Sequence, residues 1–285
     1  FLEVQAPLHR LFDLSLGLRA DRFTGGCRLL GPETGSDPCG ELNDLSHLSP
    51  KLGLRSEIVA GVQFRASWAE GFALPNNFVK YAVGGQALDP NIFRQTEVGI
   101  KLTPIEGVML DAAAFRLPST QEVRTVAPGI FENSGKTRRQ GIEASGEWQV
   151  TPRLWMRGVY SYVETLVQEN SDPTLVGRAV AGVPSHSANV DMNWSPVDSW
   201  ALSANWRHVG RYQVNATNTA QADAYDTLDL SVSHDGKLPF GYRAYLRIDN
   251  VLDATYATSV SIIGGQTVLA PGAPRTVRAG IQITP

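Results

Sequence analysis

Long apolar runs are missing from this chain. No stretch approaches the roughly 18 consecutive apolar residues of a membrane-spanning helix. Basic runs and basic–aromatic stripes are missing too, and 25 Lys and Arg against 28 Asp and Glu leave a net charge of -3. That balance argues against a nucleic-acid partner. Phe1-Leu2-Glu3-Val4 has neither the basic start nor the apolar stretch of an export signal. No Met opens the chain, so it reads as a fragment of something longer, with any export signal upstream. Only two cysteines occur. Cys27 and Cys39 bracket a Gly/Pro-rich loop, too far apart for a CxxC redox or zinc motif and with no histidine between them. In an oxidising compartment they read as a loop disulfide. The five histidines (His9, His47, His186, His208, His234) are scattered without ligand spacing. No metal or cofactor is therefore expected, and no Walker, dinucleotide or nucleophile-elbow pattern occurs.

What is present is a period of two. From residue 46 onward, segments of about ten residues alternate apolar and polar side chains, which is the pattern of membrane strands about 9–11 residues long. Val62, Phe64, Ala66 and Trp68 alternate with Gln63, Arg65 and Ser67. Val98, Ile100 and Leu102 alternate with Glu97, Gly99 and Lys101. The same holds for Ile142, Ala144 and Trp148 against Glu143, Ser145 and Glu147, and for Val277, Ala279, Ile281 and Ile283 against Arg278, Gly280 and Gln282. The alternation predicts about twelve strands, over 11–21, 47–57, 59–70, 93–103, 107–118, 139–150, 153–164, 187–195, 200–210, 225–235, 241–250 and 274–284. A Lys or Arg on the lipid side at mid-depth costs about 2–4 kcal/mol. Arg65, Lys101, Arg243 and Arg247 should therefore face the lumen.

Connections alternate between short and long. Short ones are expected at Glu57-Ile58, 103–106, Thr151-Pro152, 195–198 and 235–240. Long ones are expected near 22–46, 71–92, 119–138, 165–186, 211–224 and 251–273. Short periplasmic turns and long extracellular loops are the habit of outer-membrane barrels. A chain end after the last strand then lies on the periplasmic side. Trp68, Trp155, Tyr160, Tyr162, Trp194, Trp200 and Tyr225 fall near strand ends, as an interfacial belt requires.

Several short motifs resemble, in order, those of TonB-dependent outer-membrane receptors. Leu48-Ser49-Pro50-Lys51-Leu52-Gly53 is similar to the family's SPK-x-G strand, and Glu70-Gly71-Phe72 with Pro75 to its GF-x-x-P loop. Asp89-Pro90-Asn91 with Glu97-Val98-Gly99, then Asn133-Ser134-Gly135 with Gly141-Ile142-Glu143, follow. Gly182-Val183-Pro184, Asn250-Val251-Leu252-Asp253 with Tyr256, and Gly272-Ala273-Pro274-Arg275 complete the series. The motifs cover 46–285; residues 1–45 carry none. Physically they read as architecture: Gly141 and Gly272 suit close backbone approach, Pro75 and Pro274 punctuate strand entry, and Asn250 and Asp253 suit a turn.

The resemblance implies an all-β, transmembrane, antiparallel up-and-down barrel, of whose presumed twenty-two or so strands about twelve are present. Residues 1–285 would be the C-terminal portion of that barrel. It also implies location in the outer membrane of a Gram-negative bacterium, contact with outer-membrane lipid, monomeric state, and TonB-energised uptake of a scarce solute, most often a ferric siderophore. The TonB complex would act through an N-terminal plug absent from this sequence. Candidate ligand contacts in the long loops are Asn76, Asn77, Tyr81, Arg138, Arg139, Arg211 and Tyr212, since arginine and aromatic residues suit an anionic chelate. The chain departs from the family by ending at Thr284-Pro285, where members usually carry an aromatic residue. An open sheet would also leave two unpaired edges, at several kcal/mol for each unsatisfied group in lipid.

Two other classes compete. A closed barrel of about twelve strands could be an outer-membrane hydrolase or a channel, with Ser185-His186-Ser187 and Asn189 supplying a nucleophile and base. Neighbouring strand residues point to opposite faces, which opposes that pairing. A soluble β-sandwich binding module would need a dry core and short connections on both sides.

Overall fold

The protein is described by a computed structural model covering residues 1–9, 11–23, 45–75, 88–127, 130–263 and 266–284. The chain forms β1 (Leu2–His9), β2 (Phe12–Phe23), β3 (Leu45–Val59), β4 (Val62–Ala73), β5 (Asn91–Leu102), β6 (Val108–Ala127), β7 (Ile130–Thr151) and β8 (Leu154–Glu169). A 3-10 turn at Pro173–Leu175 precedes β9 (His186–Trp194), β10 (Trp200–Val209), β11 (Tyr212–Gln213), β12 (Gln221–Ala222) and β13 (Tyr225–Leu238). The last are β14 (Phe240–Asp249), β15 (Ala257–Ile263), β16 (Gln266–Pro271) and β17 (Thr276–Thr284).

Thirteen strands make one sheet in the order β1 to β10, β13, β14, β17, and every neighbour pair is antiparallel. β11–β12 and β15–β16 are separate small hairpins inside the connections that follow β10 and β14. β1 and β17 do not pair with each other, so the described sheet is open.

The alternation decides the two faces. Ala66, Val98, Ala114, Ile142 and Tyr162 lie in register on one side. Lys101, Asp111, Ser145, Val159 and Asn189 form a register row on the other. No large side chain among the described residues is fully buried, and Val98 and Ile281 are 54% and 73% exposed. A sandwich would cover such residues with a second sheet. This single layer instead leaves an apolar face for lipid and a polar face for water.

The strand map needs four corrections. β1 lies outside the twelve expected strands, yet Leu2, Val4 and Ala6 oppose Leu18, Leu16 and Leu14 of β2. The turn expected at Glu57-Ile58 closes instead at Ala60-Gly61, where Gly61 takes φ +79°. The supposed loop at 119–138 is paired strand: β6 and β7 continue to Ala127 and from Ile130, with register shifts near Thr120–Val123 absorbing the irregularity. Trp155 pairs with Asn193, and Tyr225 lies two residues from Thr227, which is paired to Arg207; both aromatics have the parity of the polar face and leave the belt. Trp148, Trp194 and Trp200 remain on the apolar face and are 50%, 42% and 43% exposed.

Candidate functional site

Polar residues of β4 to β10 line a concavity of about 930 Å³, bounded by Arg65, Asp111, Glu143, Arg157, Asn189 and Arg207 among others. Its charges are mostly paired across strands. Arg65 donates Nη1 and Nη2 to the two Asp111 oxygens at 2.7 and 2.8 Å, and Nε to Glu97 at 3.2 Å. Arg157 faces Glu147 at 3.6 Å, and Asn205 donates to Asp191 at 2.6 Å. Toward β17, Arg247 and Arg278 converge on Asp249 at 2.6 and 3.2 Å. Glu143 and Arg207 have no side-chain hydrogen bond or ion pair among the described residues. Arg207 belongs to this wall by the same period-two alternation that turns Arg65 and Lys101 to the lumen, although it is not among the residues named from the sequence.

The connections at the end opposite the short turns are tied together. Asn218, at φ +55°, accepts from the Ala179 amide at 2.8 Å and donates to its carbonyl at 3.0 Å. The Gly182 amide donates to the Gln213 carbonyl at 2.8 Å, and the Ser185 amide to the Arg211 carbonyl at 3.3 Å. The segments 170–185 and 210–224, Pro184 included, therefore share one hydrogen-bonded platform. Arg211 is exposed on it, and Tyr212 begins β11.

The other loop candidates divide. Arg138 and Arg139 stand on β7, paired with Pro118 and Leu117 of β6, rather than in a loop. Arg139 is held by Thr137 Oγ1 at 3.0 Å and by Glu122 at 3.5 Å. Arg138 shares its face with Gln140 and Ile142, away from the concavity. Asn76, Asn77 and Tyr81 lie outside the described residues, as do Cys27 and Cys39.

The motif residues gather at backbone junctions. Gly71 sits under the Phe93 ring, and Gly99 under the Arg65 guanidinium. A Cβ on Gly141 would strike the Tyr162 carbonyl, and one on Gly272 the Tyr256 ring. Pro75 is buried. Asn133 accepts from the Asp89 amide at 2.8 Å and donates to the Asp89 and Gln121 carbonyls at 3.0 and 2.8 Å, beside Gly135, which packs on Glu122. Asn250, 3% exposed at φ +52°, donates to the Ala254 and Ala273 carbonyls and accepts from the Ala254 amide. Arg275, next to Pro274, reaches Asp253 at 3.3 Å, and Tyr256 stacks on Tyr225 at 4.4 Å.

The hydrolase reading fails on geometry. His186 pairs with Tyr162 on the apolar face and bonds the Tyr160 hydroxyl at 2.8 Å, whereas Ser187 and Asn189 line the concavity. No group of three or more His, Cys, Asp or Glu among the described residues could hold a metal ion.

A one-layer antiparallel sheet, apolar on one face and charged on the other, with short and long connections that alternate everywhere except at the tight β6–β7 hairpin, defines a β-barrel wall of the outer-membrane type. The TonB dependent receptor-like beta-barrel model matches residues 1–251, and the chain belongs to that family. It is 25% identical over 246 residues to the metal-pseudopaline receptor CntO of Pseudomonas aeruginosa, covering 82% of this chain and 33% of that receptor. Two solved structures share the fold. The ferric-catecholate import receptor Fiu of E. coli K12 superposes with a TM-score of 0.73 at 20% identity, over 97% of this chain and 43% of that one. The siderophore receptor PiuA of Acinetobacter baumannii gives 0.78 at 16% identity, over 97% and 41%. The chain thus spans about a third of the length of the curated relatives it matches. These relatives are transport receptors, not enzymes.

Proposed function

We propose that residues 1–285 form the C-terminal part of the barrel of a Gram-negative outer-membrane receptor that takes up a ferric siderophore, energised by TonB. The observation that carries the reading is the concave wall, whose charges are mostly paired with one another across strands. Such a wall is wetted yet largely neutralised, which suits a lumen occupied by a separate plug that must move past it. The open edges of β1 and β17 support completion of the barrel by further strands of the same protein, since bare edges are costly in lipid. A barrel so completed needs no second copy, and the functional unit is a monomer.

We assign the solute contacts to the tied platform, at Arg211 and Tyr212, a cation and an aromatic residue among the long connections. Asn76, Asn77 and Tyr81 are retained as contacts from the sequence. Arg138 leaves the set because it faces outward, and Arg139 is a secondary member because Glu122 and Thr137 occupy it.

The test is uptake of radiolabelled iron, presented as hydroxamate, catecholate and carboxylate chelates, in a strain lacking the gene, complemented with it, and lacking TonB. One chelate should require both the gene and TonB. Iron uptake indifferent to the gene for all chelates would reject the ferric reading. A second reading, a chelate of another metal, is favoured by the relative named for metal-pseudopaline. It predicts the same double requirement with a chelate of another transition metal in place of iron.

A further inference from the structure

The tied platform is fixed to the wall as well as to itself. Its first segment runs along the end of β8. The Val163 amide donates to the Ser185 carbonyl at 2.9 Å, the Val167 amide to the Arg178 carbonyl at 2.8 Å, and the Gly177 amide to the Val167 carbonyl at 2.9 Å. Between these bonds, Thr165 Oγ1 accepts from the Val180 amide at 2.9 Å. Thr165 has the parity of Ser161, which lines the concavity. The segment through Val180 therefore docks on the lumen side of β8.

The second segment hangs on the first at two places. One is the Ser185 amide on the Arg211 carbonyl, at the start of β11. The other is a side chain, Asn218, beyond the turn that follows β11. That turn is closed by Asn215, whose Oδ1 accepts from the Thr219 and Ala220 amides at 3.0 and 3.2 Å. Asn218 takes φ +55°, a backbone conformation that asparagine adopts more readily than most residues. Its Oδ1 accepts from the Ala179 amide, and its Nδ2 donates to the carbonyls of Ala179 and, at 3.2 Å, Asn215. One side chain thus meets both backbone groups of a residue 39 positions away. The turn has its own bonds from Asn215, so the reach to Ala179 does something further. It fixes where the turn, and β11 before it, stand against the wall. Arg211 and Tyr212 lie between the two ties.

We infer, taking Arg211 and Tyr212 as the solute contacts proposed above, that Asn218 is a positioning residue that sets which chelate the receptor prefers. Asn218 clamps Ala179, Thr165 holds the neighbouring Val180, and the pair fixes Arg211 and Tyr212 over the lumen wall. A chelate that meets a preset cation and aromatic residue orders less of the protein on binding, and so binds more tightly. Fixed spacing also favours the chelate that matches it, whereas two loose connections would accommodate several shapes alike.

The complete receptor, purified in dodecyl maltoside, is titrated with radiolabelled ferric citrate, a ferric trihydroxamate and a ferric tris-catecholate, and retained iron is counted. Heat-resistant gel migration controls for folding, and hydrogen exchange reports the Ala179 and Val180 amides. N218G keeps the positive φ and removes the side-chain bonds. T165V keeps the shape of Thr165 and removes the acceptor for Val180. N218G should speed exchange at Ala179 and weaken the chelate that wild type prefers roughly tenfold, leaving the other two nearly unchanged. T165V should weaken the preferred chelate about threefold. In an R211A/Y212A background N218G should add no further loss, because it acts through those two residues. General loosening of the loops would instead multiply the losses and weaken all three chelates alike, and either result overturns the inference. If N218G does not fold, T165V decides in the same background. Binding by N218G and T165V as tight as wild type, with R211A/Y212A weakened, overturns the inference and leaves the contact assignment standing. Undiminished binding by R211A/Y212A rejects the contact assignment itself, and the positioning role with it.

Discussion

Arg65 reaches Asp111 by lying across Gly99. Arg65 and Gly99 are paired directly on β4 and β5, and Asp111 stands one strand further, on β6. The guanidinium spans β5 to place two parallel N–H groups on the Asp111 carboxylate. A Cβ on Gly99 would come within 2.7 Å of the guanidinium carbon and 3.0 Å of the Ala112 carbonyl oxygen. The glycine of the Glu97-Val98-Gly99 motif is thus the gap through which the ion pair forms.

Gly99→Ala is accordingly expected to displace Arg65 and destabilise the barrel. The side chains of Arg65 and Asp111 are 33% and 28% exposed, so screening by lumen water limits the loss to about 1 kcal/mol. Urea unfolding of the purified receptor in lipid, run as a double-mutant cycle with Arg65→Ala, measures it. Additive losses in the cycle would show that Gly99 and Arg65 act separately.

Period two sets Arg65 and Glu97 on the polar faces of their strands, without bringing them together or pointing to Asp111. Their register depends on where the short turns close, and Gly61 and Gly107 decide that through positive φ, at +79° and +78°. Gly61 accepts from the Thr103 amide, which sets β4 against β5 across a long connection that alternation alone does not measure. β1 was illegible because Pro7 interrupts eight residues whose alternation is otherwise regular. The 119–138 segment looked like a loop because Gly135 and Asn133 are turn residues. Here Gly135 admits Glu122, and Asn133 bonds the backbone of a different connection. The tied platform was out of reach altogether, since Asn218 and Ala179 are 39 residues apart.

Asn133 offers a local test. Its three hydrogen bonds hold Asp89 against the β6–β7 hairpin, where Leu88 is 4% exposed. Asn133→Ala should release the Asp89 amide to hydrogen exchange roughly 10-fold or more faster, by about 1–2 kcal/mol of local stability. Exchange in β9 and β10 should stay unchanged. Unaltered exchange at Asp89 would show that the Leu88 packing alone holds the segment.

Asn250 combines burial, a left-handed backbone and three side-chain hydrogen bonds to backbone. Alanine there loses the bonds, leaves the Ala254 and Ala273 carbonyls unmet, and is strained at positive φ, for roughly 3 kcal/mol together. Asn250→Gly removes the bonds but relieves the strain, so it should recover about 1 kcal/mol of that loss. Thermal unfolding of the two variants beside wild type separates the contributions. Identical midpoints for Ala and Gly would assign the whole effect to hydrogen bonding.

The assignment of faces is tested most sharply on β5, where lipid and lumen positions are adjacent. Ile100 pairs with Phe64 and Ala112 on the apolar side, while Lys101 pairs with Gln63 and Asp111 on the polar side. An arginine in place of Ile100 meets hydrocarbon near mid-depth and should cost about 2–4 kcal/mol. Lys101→Arg keeps its charge in lumen water and should change stability by less than about 0.5 kcal/mol. Equilibrium folding into lipid vesicles, followed by tryptophan fluorescence, gives both numbers. A register slip of one residue would exchange every side chain between the faces. In that case Lys101 would already lie in lipid, and Ile100→Arg would be the tolerated change.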